Sequence, residues 1–174
     1  MNEVQRPFLV SAKRRASRFI VPAYRGWNRL RNGSRTVGAV IIVMTSDGYV
    51  LLVRNSYQSG WGLPGGFLHR REDVKRCAER ELFEETGLLL SLDAKNSVAH
   101  LERSAKNVTF VFVYESDRPS DSLKLRRPTK LLGRIEILGH DWFHLSNLPQ
   151  LKKGTKDLFS AAGFHQYPAI QDLR

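Results

Sequence analysis

The stretch Gly66–Leu88, GFLHRREDVKRCAERELFEETGL, constrains this chain more than any other. Pro64 and the pair Gly65-Gly66 lead into it, a backbone of the kind that something must approach closely. Asp73 or Glu72 marks a helix start and Gly87 a C-terminal cap, while Val74, Ala78 and Leu82 recur at four-residue spacing. The spacing therefore predicts a helix over Asp73 to Thr86. On such a helix Glu81 neighbours both Glu84 and Glu85, and Arg80 precedes Glu84 by four residues, where it can pair with it. Like charges crowded in this way cost stability unless cations neutralise them. An oxygen-only set suits a hard divalent ion, Mg²⁺ or Mn²⁺. The apolar stripe is expected to leave the glutamates on the opposite, cavity-facing or exposed side. As a bare pattern, a glutamate-rich helical turn is more often a solvated surface.

The flanking sequence supplies strands. Thr36 to Met44, TVGAVIIVM, reads as a buried strand, too short and too rich in Val and Ile for a helix. Ser46-Asp47-Gly48 predicts a hairpin turn, with Asp-Gly supplying positive backbone angles, and Tyr49 to Arg54 a returning strand. Asn55 to Gly60 reads as a polar loop. Strands are further expected over Leu88–Leu92, Val98–Arg103, Asn107–Glu115, and Arg134–Leu138 with Asp141-Trp142-Phe143. Arg118 to Lys130 reads as an exposed loop that reaches toward a ligand, and Thr155 to Ala162 as a closing helix. Strands on both sides of one central helix predict a mixed α/β or α+β domain.

The spacing Gly66, Glu72, Arg80-Glu81-Leu82, Glu84-Glu85, Gly87-Leu88 resembles the signature of the Nudix hydrolases, G-x5-E-x7-R-E-U-x-E-E-x-G-U with U aliphatic, at every fixed position. The look is closest to small bacterial MutT-like members. The resemblance implies a mixed sheet layered between helices and a metal-dependent attack of water on a phosphoanhydride in a nucleoside diphosphate linked to another moiety. By the same resemblance Glu84 and Glu85 are the metal ligands, assisted by the Gly65 carbonyl. Glu81 is ligand or general base, Arg80 the orienting residue, Gly66 part of the supporting turn, and Glu72 a weaker or outer contact. Glu136 is the candidate for a further glutamate from outside the signature, because Glu136-Ile137 precedes Trp142-Phe143 and Leu148-Pro149 at a similar spacing. Glu102 and Glu115 compete with it, and His69 and His140 read as polar surface residues. Leu101 to Lys106, LERSAK, lacks the marker Pro or Tyr of members acting on ADP-ribose or dinucleoside polyphosphates, which disfavours both. A nucleotide- or RNA-binding module without turnover and an RNA 5′-end or cap hydrolase are the alternatives.

Composition bears on partners. The chain has 174 residues and a net charge of +11, from 28 basic and 17 acidic residues. Such an excess favours polyanions: a phosphorylated small molecule such as a nucleotide, RNA, or an anionic membrane surface. Residues 7–22, PFLVSAKRRASRFIVP, read as a basic amphipathic stretch, whose alternatives are docking on its own domain or simple disorder, a membrane or nucleic-acid contact, or a mitochondrial presequence. The expected organisation is an N-terminal extension, 1–34, and a catalytic domain, 35–174. Cys77 is the only cysteine, which excludes an intrachain disulfide and a cysteine-based zinc site. With no apolar run near the roughly 18–20 residues of a membrane span, a cytoplasmic protein is expected, at most peripheral at a membrane. Oligomeric state is left open, a homodimer included.

Overall fold

A computed structural model describes residues 36–104, 107–128, 136–167 and 170. Strand β1 (Thr36–Met44) is apolar along nearly its whole length because both its faces are covered. Ala39, Ile41 and Val43 point into one core layer, and Ile42, with Val40 and Met44, into the other. β2 (Tyr49–Asn55) divides the same way, with Leu51 on the first side and Val50 and Leu52 on the second. Two short strands, β3 (Trp61–Gly62) and β4 (Gly65–Phe67), precede helix α1 (Val74–Thr86). β5 (Val98–Ser104), β6 (Asn107–Glu115), β7 (Ile137–His144) and helix α2 (Thr155–Ala161) complete the regular elements.

The sheet runs β3-β2-β1-β6-β5, with β4 also on β1 and β7 also on β2. β1 and β6 are parallel from Thr36↔Asn107 to Met44↔Glu115, and the other pairings are antiparallel. β1 and β2 meet in register only at Met44↔Val50. Away from that pair β4 takes the edge of β1, placing Gly65 opposite Val40 and Gly66 opposite Ala39. Helix α1 buries Cys77, Ala78 and Leu82 against Ala39, Ile41, Val43 and Phe112. Helix α2 buries Leu158 and Phe159 against Ile42, Val50, Val111 and Val113 on the other face. Each fully buried Leu, Ile or Phe contributes roughly 1.5–3 kcal/mol. The expected mixed sheet between helices is the observed architecture.

Several local expectations are corrected. Leu88–Leu92 is not a strand: Leu88 and Leu92 are buried, and Leu92 N–H donates to Glu79 Oε1 of α1 at 2.7 Å, so the run packs as a loop around the helix end. The segment entering the signature, for which the sequence predicted no regular element, forms β3 and β4. Asn55 and Ser56 are buried, which a polar loop did not predict. In the β1–β2 turn only Gly48 takes a positive φ, 82°. The segment from Arg118 is anchored, with Leu123 buried in the α1-side core and Arg126 N–H donating to Thr86 O at 2.7 Å. β7 is the further strand expected from Leu138 to Phe143, continuous over Ile137–His144, while Arg134 and Ile135 lie outside the described residues. The N-terminal stretch and the domain boundary at 34 lie outside the described residues. No helix among those described is long and apolar enough to cross a membrane.

Candidate active site

The site is assembled by the turn before α1 and by one face of that helix. Asp73 caps the helix, its Oδ1 accepting from Arg76 N–H at 3.0 Å, and Gly87 ends it in the left-handed conformation, φ 69°. Gly65 and Gly66 are caught between β1 and the helix. A β-carbon on Gly65 would strike the Ala39 carbonyl and Val40, and one on Gly66 would fall on the Glu81 carboxyl group. Gly65 N–H donates to Glu85 Oε2 at 3.0 Å, joining turn to helix directly.

Arg80 spreads its guanidinium over five acceptor oxygens. Its Nε and Nη2 reach Glu72 Oε1 and Oε2 at 2.6 and 2.9 Å, and Nη2 also donates to Phe67 O at 3.2 Å. Nη1 bridges Glu81 Oε1 at 2.7 Å and Glu84 Oε2 at 3.4 Å. His69 N–H adds a bond to Glu72 Oε2 at 2.8 Å. Partial burial works to raise the Glu72 carboxyl, but Arg80 and the His69 amide together hold it below the usual carboxylate value. Glu72 is thus engaged by Arg80.

The other carboxylates are short of positive charge. Burial pushes Glu85 well above the carboxylate range, Glu81 and Glu136 push it further, and Gly65 N–H and Lys152 oppose them. Glu81 is raised chiefly by burial, then by Glu84 and Glu136, against the pull of Arg80. Glu136 precedes β7, its backbone carbonyl accepting from Ser56 N–H at 2.7 Å, and so comes from a different element to face the same carboxylates. Glu102 and Glu115, its rivals in the sequence, are exposed on β5 and at the end of β6. Glu85 departs from the side expected of the helix glutamates, being buried along with Cys77, Ala78, Leu82 and Thr86, whereas Glu81 and Glu84 are only partly buried.

An all-oxygen donor set that remains under-neutralised by its own arginine and lysine fits a hard divalent cation. Among the described residues no three carboxylate, imidazole or thiol groups are already gathered at ligand distance, and Arg80 Nη1 holds oxygens of both Glu81 and Glu84. Cys77 is no candidate: burial, the largest cause, pushes its thiol up to about 12, and its Sγ faces Gly66 O at 3.8 Å.

Two residues that the sequence did not single out adjoin the site. His140, expected on the surface, is half-buried with Nδ1 3.1 Å from Glu85 O. A carbonyl oxygen only accepts, so Nδ1 carries the hydrogen, and burial holds the ring below the usual imidazole value, hence neutral. Lys152 enters from the segment before α2. No local pattern distinguishes it from Lys153 beside it.

Residues 34–161 match the NUDIX domain family model. The chain is 32% identical over 138 residues to mRNA decapping complex subunit 2 of Schizosaccharomyces pombe, a match covering 79% of this chain and 18% of that protein. It is 32% identical over 118 residues to nucleoside diphosphate-linked moiety X motif 6 of Mus musculus, covering 68% of this chain and 36% of the relative. The matches therefore span well under half the length of these curated relatives. Among solved structures, a MutT NUDIX hydrolase from Burkholderia pseudomallei superposes with a TM-score of 0.54 at 25% identity, over 74% of this chain and 98% of that one.

Proposed function

The chain belongs to the NUDIX domain family, and from that premise we propose that it is a divalent-metal-dependent pyrophosphohydrolase. Its substrate class is a nucleoside diphosphate linked to another moiety. The observation that supports this reading best is the grouping of Glu81, Glu84, Glu85 and Glu136 around the Gly65-Gly66 turn with too few protein cations to neutralise them.

In this reading Glu84, Glu85 and Glu136, with the Gly65 carbonyl, hold Mg²⁺ or Mn²⁺, and Glu81 is ligand or base. When bound, the ion neutralises charge on the phosphoryl oxygens and acidifies water. Glu81 is held through Oε1 by Arg80, which leaves Oε2 to take the proton of the attacking water; burial raises its basicity, the direction that this role needs. Water oxygen bonds to phosphorus, the bridging P–O bond breaks, and the products are a nucleoside phosphate and the phosphorylated second moiety. Arg80 keeps Glu81 and Glu84 in register, and Glu72 positions Arg80. A module that only bound nucleotides would have no chemical use for all three helix glutamates.

A screen with Mg²⁺ and with Mn²⁺ tests the proposal, its phosphomonoester or pyrophosphate products separated and identified by anion-exchange chromatography. Its arms are nucleoside triphosphates, nucleotide sugars, ADP-ribose, dinucleoside polyphosphates, and 5′-triphosphate or capped RNA. The RNA arm is included for the +11 charge and the similarity to a decapping subunit. Metal-dependent cleavage in any arm supports the reading. Folded protein that binds a nucleotide in the presence of metal and cleaves none turns it into the binding-module alternative.

A further inference from the structure

Arg71 is the one residue other than glycine with a positive φ among those described, at 67°. It stands third in a turn that Glu72 N–H closes by donating to His69 O at 3.1 Å. A positive φ there is ordinary for glycine and costs an arginine free energy, because its β-carbon crowds the backbone. The turn is nevertheless firmly seated. His69 N–H donates to Glu72 Oε2 at 2.8 Å, and Arg80 holds both oxygens of Glu72. The same guanidinium holds Glu81 and Glu84, so the turn is built onto the carboxylate site.

What the strain keeps in place is a charged side chain. Arg70 and Arg71 are both exposed, and neither guanidinium has a hydrogen bond or ion pair to a described residue. The acids beside them are engaged elsewhere: Glu72 by Arg80, and Asp73 as the cap of α1, 3.6 Å from Arg76. Lys75, on the first turn of α1, has no counter-ion among the described residues either. Solubility asks for charge at no particular position, and glycine would suit the turn better. An arginine at position 71 in spite of that points to a ligand.

The ligand's chemistry is anionic. Arg70, Arg71, Lys75 and Arg76 form a row over the turn and the start of α1 rather than a pocket, which suits a chain of phosphates better than one small anion. An anionic membrane is also a spread of charge, but segments that lie on it sink apolar side chains among the lipids. The exposed large apolar residues, Phe83, Leu89 and Val98, all lie outside the turn. We propose that the Arg70-Arg71 turn clamps the phosphodiester chain of a single-stranded nucleic acid whose 5′ end enters the carboxylate site. The proposal rests on the hydrolase reading above and makes the moiety beyond the diphosphate an oligonucleotide.

The test is fluorescence anisotropy of short 3′-labelled single strands with the full-length protein, in EDTA over a series of KCl concentrations. RNA and DNA of one sequence are separate arms, each with a 5′-hydroxyl, so that only the chain is read. Arg70→Gln/Arg71→Gly is expected to weaken binding by about tenfold at low salt and to flatten the slope of log K against log[KCl] by about 1.4, two phosphate contacts at about 0.7 each. Arg71→Gly alone should flatten it by about 0.7 while its unfolding midpoint holds or rises, so that a fold defect cannot account for the loss. Arg71→Lys keeps the charge and should keep most of the affinity. These changes in either arm support the clamp, and the tighter arm identifies the strand. Affinity and slope unchanged in the double variant overturn it, as does a double variant that loses binding to phosphatidylserine vesicles alone, which assigns the turn to a membrane. Cleavage in other arms of the substrate screen, with no strand bound by wild type, overturns the proposal and leaves the hydrolase reading. No cleavage in any arm overturns that reading, and the proposal with it.

Discussion

Arg80 fastens the middle of α1 to the segment just before it, with Nε 2.6 Å from Glu72 Oε1 and Nη2 2.9 Å from Oε2. The fork is two parallel charge-assisted bonds, a geometry that an ammonium cannot reproduce. The side chains are only 20% and 12% exposed, and removing one partner strands carboxylates that water reaches poorly. Arg80→Ala is expected to lower stability by roughly 3 kcal/mol, the lower end for breaking a buried pair. Arg80→Lys, which keeps the charge and loses the fork, should cost about 1–2 kcal/mol. Urea unfolding in EDTA measures both. Arg80→Lys at wild-type stability would remove the fork from the account.

Glu84 shares Arg80 Nη1 with Glu81 and sits in a group of like charges. Glu84→Gln removes one charge without changing shape. Turnover in the most active arm of the substrate screen is expected to fall by about 10²–10³, as for loss of one group that stabilises transition-state charge. The unfolding midpoint in EDTA should hold or rise. Full Mg²⁺-dependent turnover in this variant would take Glu84 out of the site.

The two glycines of the turn separate structure from chemistry. A methyl at Gly66 meets the movable end of Glu81, whereas one at Gly65 meets the backbone of β1 at a positive φ of 152°. Gly66→Ala is therefore expected to stay folded, losing about 1 kcal/mol or less, while displacing the carboxylate that the reaction needs. Gly65→Ala should lose more than about 2 kcal/mol through backbone strain. Thermal unfolding alongside turnover distinguishes them. An active Gly66→Ala enzyme would mean that Glu81 tolerates displacement.

Helix α1 is legible in the sequence because its determinants are local: the Asp73 cap, the Gly87 stop and the apolar spacing all act within a few residues. β1 and β6 are legible for the same reason, as runs of Val, Ile and Phe. β3 and β4 are not, because Trp61-Gly62 and Gly65–Phe67 become strands only where β1 and β2 part and leave edges to be paired. Leu88–Leu92 misleads because an apolar run signals burial, and burial here is achieved by a loop wrapped on α1. Glu85 was assigned to the polar side by its chemistry, although it follows Leu82 by three residues and Ala78 by seven, which puts it on their face. Glu136 is a candidate by its spacing from Trp142-Phe143, whereas His140 and Lys152 owe their positions to long-range pairing that leaves no local mark.

The charge imbalance of the site should appear as a dependence of stability on pH. Glu85 and Glu81 have folded values raised above the ordinary 4.5, so the stability they contribute is fully present below 4.5 and is lost as pH rises through the raised values. Glu72 runs the other way, its contribution present above 4.5 and lost as pH falls through its lowered value. His140 likewise contributes above its ordinary 6.5 and loses that as pH falls. Glu85→Gln isolates the first effect, since the amide does not titrate. In EDTA, wild-type stability relative to Glu85→Gln is expected to decline as pH rises from 4.5 through the raised value. Mg²⁺ should reverse the trend, because the ion competes with protons for the same oxygens and binds better as they leave. The Mg²⁺-induced rise in unfolding midpoint should thus grow with pH in wild type and shrink in Glu85→Gln. A difference between the two proteins that stays constant across this range, with and without Mg²⁺, would falsify the assignment of Glu85 as a buried carboxylate that exchanges its proton for a metal ion.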